Sequence, residues 1–364
     1  MTWRSLAFAS LALASGFARL AATNDGPKEP LTGEVRVYYI AADEVNWNYA
    51  PAGNVLAKML CGGADATWLA RGTSGQAPIF RKAVFREYTD DTFTQLKPRA
   101  PEWEHAGILG PIIRAEVGDR IEVTVKNNTP APVSLHSHGV HYLKPYEGAG
   151  YPDGTSGSDK ADDAIAPGDT YTYRWGVPTR AGPGPSDGSS VVWLYHSHVN
   201  SPRDVNTGLV GALIVTRHGA ARPDGTPTDI DREFIALFLN FDESDSWLAG
   251  KNSALLNPPP AQNTNNFYAI NGFIYGNLPL LSMKSGERVR WYLVALGGED
   301  DLHTPHWHGS TVLHDGHRTD VIELLPASMK VADMRADNPG IWLFHCHVTD
   351  HMRAGMAGRY EIIK

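Results

Sequence analysis

Histidines in this sequence tend to occur in pairs separated by a single residue. Four such H-x-H motifs are present, whereas random placement of 15 histidines in 364 residues would give fewer than one. Successive side chains of a β-strand point to opposite faces, so the two histidines of each motif share a face. Eight imidazoles delivered in pairs predict a cluster of more than one metal ion. The motifs are His136 and His138, His196 and His198, His306 and His308, and His345 and His347.

The middle residue of the last motif is a cysteine, which predicts a second kind of metal site. Strand alternation turns Cys346 away from the face that its two histidine neighbours share. A thiolate, two imidazoles and a weak thioether form the ligand set of a mononuclear blue-copper site. The sequence offers that set as His303, Cys346, His351 and Met356. The peptide bonds on either side of Cys346 would give electrons a short covalent route to the histidine cluster.

Two segments of the chain resemble each other, which indicates a duplicated domain. The stretch V-V-W-L-Y-H-S-H-V-N at 191–200 aligns with G-I-W-L-F-H-C-H-V-T at 340–349. Each lies near the end of a longer similar block that contains an earlier H-x-H motif. We expect domain 1 at 33–222 and domain 2 at 231–364, with a polar, Pro-rich linker between them.

The two copies differ at the positions of the mononuclear site. Ser197 stands in the first copy where the second has Cys346, and Val133 stands where the second has His303. The first domain is therefore predicted to keep its cluster ligands and to lack a mononuclear site. Electrons would enter through the second domain.

Composition and strand patterning predict an all-β protein of two β-sandwich domains. The chain has 36 Gly, 25 Pro and only 20% charged residues, which favours turns and short strands over long charged helices. The stretches I-E-V-T-V-K and R-V-R-W-Y-L-V alternate with a period of two, and Gly-Asp and Gly-Glu turns precede them. Such alternation is typical of half-buried strands in sandwiches.

Charge and terminal sequence limit the partners and the compartment. The net charge is -8 without a basic run, which argues against binding to nucleic acid. Residues 1–22 hold an apolar run with small residues near its end, which predicts a secretory signal, with a membrane anchor as the alternative. We therefore expect a secreted protein that does not span a membrane. Cys61 and Cys346 are the only cysteines, and Cys61 would be a plain buried thiol if the other binds metal.

With these motifs the chain resembles the multicopper oxidase family over essentially all of its length after the signal. The likeness rests on four H-x-H motifs in register with H-C-H-x3-H-x4-M, and V-Y-Y-I-A-A-D-E-V-N-W-N-Y-A-P and H-C-H-V-T-D-H are similar to the ceruloplasmin and hephaestin group. The resemblance implies two cupredoxin-like Greek-key domains, four coppers and one-electron oxidation of a small reductant coupled to reduction of dioxygen to water. By motif match, His136 and His306 would hold the type 2 copper. The type 3 pair would take His138, His196, His198, His308, His345 and His347.

The two-domain length is similar to that of the small laccases, which implies a homotrimer. In such an assembly the trinuclear cluster lies between domain 1 of one subunit and domain 2 of the next. A head-to-tail interface of this kind closes into a ring when the rotation fits.

The resemblance leaves the electron donor open. We expect laccase-like oxidation of phenols and aromatic amines. The resemblance to ceruloplasmin implies that a ferroxidase site would need a Glu, a His and an Asp, and this sequence has only the Asp, at Asp350. Asn263 and Tyr268 stand at the other two positions. Oxidation of ferrous or other metal ions is the alternative, and a copper-binding electron-transfer protein is the alternative of another class. Asp350, beside His351, is expected to orient a phenol proton or to bind a cation.

Reduction of dioxygen consumes protons, so an acid near the type 2 copper is expected. Asp153 in Y-P-D-G-T is the candidate, with Glu147 in Y-E-G-A-G as the alternative, since both follow H-S-H-G-V-H-Y shortly. Tyr142, four residues past His138, could donate an electron or a hydrogen bond, although a core role fits it as well.

Overall fold

The computed structural model describes residues 30–53, 79–255, 265–298 and 301–364. Strands make up most of the regular structure in these ranges, and the helices are few and short. The predictions for the signal at 1–22, for Cys61 and for Asn263 lie outside the described residues.

The first eight described strands form two sheets that pack face to face. Sheet 1 has the strand order β2-β1-β4-β6, and sheet 2 has the order β3-β8-β7-β5. Parallel pairing of β1 with β4 and of β3 with β8 requires the chain to cross between the sheets. The strands are β1 (Val35–Asn48), β2 (Ile79–Tyr88), β3 (Ile113–Glu116), β4 (Arg120–Asn127), β5 (His136–Ser137), β6 (Thr170–Gly176), β7 (Ser190–His196) and β8 (Val210–Thr216).

Ten further described strands form a second sandwich. Sheet 3 has the order β10-β9-β12-β16-β14-β15, and sheet 4 has the order β11-β18-β17-β13. The strands are β9 (Arg232–Asp242), β10 (Asn266–Ile270), β11 (Leu281–Lys284), β12 (Arg288–Ala295), β13 (Pro305–Trp307), β14 (Val312–His314), β15 (His317–Thr319), β16 (Met329–Arg335), β17 (Gly340–Cys346) and β18 (Ala357–Ile363).

Two short α-helices follow equivalent strands of the two sandwiches. Helix α1 (Ser201–Thr207) follows β7, and helix α2 (Thr349–Arg353) follows β17. Short 3₁₀ helices occur at Pro101–Ala106, Lys144–Tyr146, Gly157–Lys160 and Thr179–Ala181. Among the residues described, no helix has the length and apolar character needed to span a bilayer.

The alternation predicted for β4 appears in its burial. Ile121, Val123 and Val125 face the core between sheets 1 and 2, and the residues between them are partly exposed. Strand β12 is instead buried on both faces, with Trp291 in the core between sheets 3 and 4 and Tyr292 on the opposite side. A strand that is covered on both faces is typically an almost continuous apolar run, and the exception in β12 is buried Arg290, whose charge is paired with Asp229 and Asp333.

A third apolar core joins the two sandwiches. Val192 and Leu194 of β7 pack in it with Ile235, Leu237 and Leu239 of β9, so sheet 2 lies against sheet 3. The four sheets therefore stack in the order 1, 2, 3 and 4. Sheet 4 has the second-domain core on one face only, and its other face points away from the first domain.

Candidate metal centres

The thiol and imidazoles predicted for a mononuclear site meet inside the second sandwich. Cys346 ends β17 and is 0% exposed in the core between sheets 3 and 4, while His303 precedes β13 and His351 lies on α2. His303 Nδ1 lies 3.2 Å from His351 Nδ1, and Cys346 Sγ lies 4.0 and 3.7 Å from these two nitrogens. Atoms this close together can bind one ion between them.

Met356, the predicted axial ligand, returns to the same core at the start of β18. Its backbone carbonyl accepts a hydrogen bond of 3.0 Å from the amide of Cys346, and its side chain is fully buried. Gly355 precedes it with a φ of 113°, and a Cβ at this position would lie 2.8 Å from the ring of Tyr275. A glycine therefore allows the tight turn that brings Met356 back beside Cys346.

The surroundings of Cys346 favour the thiolate. Burial raises the pKa of this thiol, but hydrogen bonds with His303 and His351 outweigh burial and bring it to about 6. The amide of Thr304 also donates to Sγ over 3.3 Å. The thiolate is the form that binds metal, so the group is ready to ligate near neutral pH.

Asp301 is a partner of this site that the sequence reasoning missed. Its Oδ1 lies 2.9 Å from His303 Nε2 and also accepts a hydrogen bond of 2.8 Å from the amide of Asn240. A carboxylate on the far nitrogen of a ligating histidine fixes the tautomer and the ring orientation. The sequence D-L-H shows that Asp301 and His303 are two residues apart. It does not show that their side chains point toward each other.

The outer side of the mononuclear site carries Tyr268, His351 and Asp350. The rings of Tyr268 and His351 are stacked, with centroids 4.5 Å apart and planes 28° apart. Asp350 is exposed in the first turn of α2, next to His351. The ring of Tyr268 thus covers an imidazole through which electrons would enter.

The four histidines of the first sandwich form one group at the end of sheet 2. His138 Nε2 lies 3.2 Å from His196 Nε2, and His136 pairs with His196 across β5 and β7. The ring centroids of His136 and His198 are 5.1 Å apart. These side chains share one face, as the H-x-H spacing predicts.

Carbonyl groups orient two of these rings and leave Nε2 free for metal. His136 Nδ1 bonds to the carbonyl of Glu147 over 2.7 Å, and His196 Nδ1 to the carbonyl of Ser197 over 2.9 Å. Burial lowers the pKa of His138 to about 4 and that of His196 to about 3. Both rings are therefore neutral near pH 7, the state that ligates metal.

The other four histidines form a matching group on sheet 4. His308 Nε2 lies 3.1 Å from His345 Nε2, and His306 Nδ1 lies 2.9 Å from the carbonyl of Asp320. His306, His308 and His345 each bring a nitrogen within 4.8 Å of the others. The rings of His306 and His347 are 5.1 Å apart, and burial lowers the pKa of His345 to about 4.

A glycine after the earlier H-x-H motif of each domain lets a tryptophan pack beneath the histidines. A Cβ at Gly139 would lie 2.2 Å from the ring of Trp193, and a Cβ at Gly309 would lie 2.6 Å from the ring of Trp342. Both glycines have a positive φ, at 77° and 71°. The repeated H-x-H-G and W-L-x-H patterns are therefore parts of one packing arrangement.

The two histidine groups lie on opposite sides of the second sandwich. His196 continues the face of β7 on which Leu194 packs against sheet 3, whereas His345 lies on the face of β17 opposite Phe344 and Cys346, which fill the core of the second domain. Sheets stack roughly 10 Å apart, so two such spacings separate the groups. No hydrogen bond or ring contact joins one group to the other in the part of the chain that the structure describes. The cluster that the sequence predicts from all eight histidines is therefore not brought together within one chain.

The predicted proton donor lies in an ion-paired loop after the first histidine group. Asp153 lies 3.0 Å from Lys144 Nζ and 2.9 Å from Lys160 Nζ, and hydrogen bonds from Thr155 hold the pKa of Asp153 well below its usual range. Glu147 binds Lys144 as well and holds His136 through its carbonyl. Proton donation by either carboxyl stays a prediction, as does the role of Asp350.

Comparison with known proteins agrees with this ligand arrangement. Two family models, both described as multicopper oxidase, match residues 103–219 and 250–363. The chain belongs to the multicopper oxidase family. Copper is the metal that this family implies, and the buried thiolate with two imidazoles and the neutral imidazole groups fit it.

Individual relatives and solved structures extend the comparison. Human "Ferroxidase HEPHL1" is 43% identical over 91% of this chain, and mouse "Coagulation factor V" is 42% identical over 91%. The chain spans 30% and 15% of the lengths of these two relatives. The solved structure "Multicopper Oxidase mgLAC" covers 91% of the chain and 86% of its own with a TM-score of 0.61 and 22% identity. This likeness confirms the predicted cupredoxin-like sandwiches.

Proposed function

We propose that this chain carries the copper centres of an oxidase that takes single electrons from a donor and delivers them to dioxygen. The supporting observation is the thiolate site of Cys346, whose neighbours in the chain belong to a histidine group on the opposite face of β17. Four coppers per functional unit fit the ligands, with one at the thiolate and three at the histidines. An electron-transfer protein would need only the first of these sites.

Copper at these positions would supply one-electron oxidation of the donor and four-electron reduction of dioxygen to water. The residues themselves do three things. Burial excludes water from Cys346 and Met356, Asp301 orients His303, and carbonyls turn the histidine Nε2 atoms toward one another. Cys346 is joined by its peptide bonds to ligands of the second centre.

We propose that the cluster is completed between copies of the chain. Because the two histidine groups face opposite sides of the second sandwich, one chain cannot bring them together without unfolding that sandwich. Head-to-tail contact would place sheet 4 of one copy against the first histidine group of the next. Exposed Ile341 and the partly exposed His306 lie on the face available for this contact. We favour a closed trimer.

Complementation between inactive variants tests this assembly. The double variants His136→Ala/His138→Ala and His345→Ala/His347→Ala should each lack oxidase activity, and co-refolding of the two should restore part of it, since some interfaces would join two intact halves. Each variant refolded with itself is the matched control. Native mass should be three times that of the chain. A fully active species with the mass of one chain would overturn the proposal.

Ferrous ion is the donor that we now place first. The human relative "Ferroxidase HEPHL1" is 43% identical to this chain across the matched region. This identity favours iron over the phenols that the sequence motifs alone suggest. Asp350 is an exposed carboxylate beside His351, where it can bind a cation close to the thiolate site. The net charge of -8 also favours a cationic donor.

Phenols and aromatic amines remain the second candidate because of Tyr268. Its ring lies flat on the imidazole of His351, which offers an aromatic surface at the point of electron entry. Aromatic rings attract other rings in offset or edge-to-face arrangements.

Oxygen uptake by the copper-loaded protein separates the two donors. Ferrous ion and a dimethoxy-substituted phenol are offered to the wild type and to Asp350→Asn and Tyr268→Leu. For a ferroxidase, Asp350→Asn should raise KM for iron about tenfold and leave the phenol rate unchanged. For a phenol oxidase, Tyr268→Leu should lower phenol turnover selectively. Blue colour without any oxygen uptake would contradict both and favour an electron-transfer protein.

We retain two proposals on protons and location. Asp153 and Glu147 are the candidate acids for proton delivery. Because hydrogen bonds from Thr155 and two lysines hold the pKa of Asp153 well below its usual range, Asp153 would pass protons on from its deprotonated form, and Asp153→Asn should then lower the rate of oxygen reduction more than Glu147→Gln without moving the pH profile. We also propose secretion, which an expression experiment with fractionation of medium and cells would test.

A further inference from the structure

The first domain fills the place of the missing mononuclear site with a hydrogen-bonded polar group. Ser197 Oγ accepts a hydrogen bond of 3.1 Å from the amide of Ser134, just as Cys346 Sγ accepts one of 3.3 Å from the amide of Thr304. Ser197 and Cys346 are each the middle residue of an H-x-H motif and are both fully buried. The two positions are therefore equivalent in backbone and differ only in chemistry.

In both domains the chain after the H-x-H motif folds back and forms the same backbone hydrogen bond to the middle residue of the motif. The amide of Ser197 donates to the carbonyl of Leu209 over 3.1 Å, and the amide of Cys346 donates to the carbonyl of Met356 over 3.0 Å. Leu209 is therefore the first-domain counterpart of the axial Met356, although it lies two residues further along the chain. The first domain has an apolar side chain here and no thioether.

Asp204 occupies the position on α1 that His351 occupies on α2. Its Oδ2 accepts a hydrogen bond of 2.7 Å from Ser197 Oγ, and His351 Nδ1 correspondingly lies 3.7 Å from Cys346 Sγ. Asp204 Oδ2 also accepts a hydrogen bond of 3.0 Å from the amide of Asn200, and the residue is 2% exposed. A carboxylate thus joins the helix to the strand where the second domain would use a metal ion.

These bonds connect Asp204 to two ligating residues. The carbonyl of Ser197 accepts the Nδ1 hydrogen bond of His196, and the hydroxyl of Ser134 accepts a hydrogen bond of 2.9 Å from the amide of His198. Ser134 and Ser197 are themselves joined by the bond described above. The backbone between the two histidines is therefore held from behind by a network that ends at Asp204.

We propose that Asp204 is a positioning residue of the copper cluster, which fixes His196 and His198 through Ser197. This inference rests on the proposed function, because it assigns Asp204 to the assembly of that cluster. In the second domain a metal ion behind the histidines would hold the equivalent segment. The first domain has no ligands for such an ion, so the buried carboxylate takes over its structural role.

Loss of the carboxylate should loosen the segment without removing a ligand. Asp204→Ala leaves the buried hydroxyl of Ser197 without its acceptor, and it also removes the acceptor of the Asn200 amide. Partners behind ligating histidines typically affect metal affinity by about 10- to 100-fold when they are replaced. We expect a loss of this size at the histidine cluster and no change at the thiolate site.

Copper retention measures this effect separately at the two kinds of site. Copper-loaded wild type, Asp204→Ala and Asp204→Asn are titrated with a chelator while the blue absorption of the thiolate site and the near-ultraviolet absorption of the paired coppers are followed. Asp119→Ala is the matched control, because Asp119 is also buried in the first domain and also accepts backbone hydrogen bonds, but touches none of this network. Thermal unfolding of every variant is measured in parallel.

Both Asp204 variants should lose paired copper at about tenfold lower chelator concentration than the wild type and should keep the blue absorption. Ser197→Ala retains the carboxylate of Asp204 and should show the same selective loss of paired copper. This variant replaces Asp204→Ala in the experiment if Asp204→Ala does not fold. Equal retention in the wild type and Asp204→Asn, or equal loss in Asp119→Ala, would overturn the inference. A wild type with no paired-copper absorption would instead contradict the proposed function.

Discussion

Asp301 and His303 form a buried hydrogen bond behind the thiolate site, with Oδ1 and Nε2 2.9 Å apart. The other nitrogen of the same imidazole faces Cys346 and His351. Asp301 is 3% exposed and also accepts hydrogen bonds from the amides of Asn240 and Gly298, so its carboxylate is fixed in place. The carboxylate of Asp301 is thereby held close to the thiolate site, although Asp301 is not one of the predicted ligands.

Asp301→Asn should raise the reduction potential of the thiolate copper and lower its copper affinity about tenfold. The reason is that the carboxylate stabilises the more positive oxidation state and fixes the imidazole, and an amide does only part of this. Redox titration of the blue absorption measures the potential. Asp315→Asn removes an exposed acid of the same domain and should leave the potential unchanged. An unaltered potential in Asp301→Asn would show that the carboxylate has no influence on the copper.

Cys346→Ser makes the second domain resemble the first at this position. We expect the blue absorption to disappear and the copper content to fall by one per chain, because a hydroxyl is a poor replacement for a thiolate ligand. The histidine groups lie on the other face of β17 and should keep their copper. Elemental analysis and absorption spectra of the purified variant check both points. Retention of the blue colour would rule out Cys346 as its source.

Stability of the metal-free protein should fall as the pH decreases from about 6.5 to about 4, with His105 contributing. Burial lowers the pKa of His105 to about 4, so in this range the unfolded chain binds a proton that the folded chain does not. This histidine is 4% exposed, and its Nε2 accepts a hydrogen bond of 3.1 Å from the amide of Ile235 in the other sandwich. The contribution is of the order of 3 kcal/mol, present above pH 6.5 and lost by pH 4.

Urea unfolding at several pH values measures the slope. His105→Gln should remove part of the pH dependence, because glutamine does not titrate, and His218→Gln is an exposed control that should leave it unchanged. A slope that is the same in all three proteins would exclude His105 as a cause.

Lys82→Met should destabilise the protein by about 3 to 5 kcal/mol, because it leaves the buried carboxylate of Glu243 without its partner charge. Lys82 Nζ on β2 lies 2.5 Å from Oε1 of Glu243, which directly follows β9, and both side chains are fully buried. The double variant Lys82→Met/Glu243→Gln should recover much of the loss, since no unpaired charge remains. Denaturant unfolding of the single and double variants gives both values. A single variant as stable as the wild type would contradict this account.

The sequence determined much of the site because its ligands follow strand geometry. At the end of β17 a period of two places His345 and His347 on one face and Cys346 on the other, whatever the rest of the fold is. The duplicated motif likewise indicated that Ser197 corresponds to Cys346, and the structure shows equivalent backbone hydrogen bonds at both. Local spacing of this kind can be read without knowledge of distant contacts.

Only the tertiary structure decided what surrounds these ligands and which ones share a site. Asp204 on helix α1 accepts a hydrogen bond from Ser197 at the end of β7, and the two histidine groups are separated because sheet 3 packs on sheet 2 while sheet 4 faces outward. Sheet packing depends on apolar faces that are far apart in sequence, and many pairings satisfy the same alternation. The sequence therefore determined which residues could bind copper, and the stacking of the sheets decided that the two histidine groups of one chain lie apart.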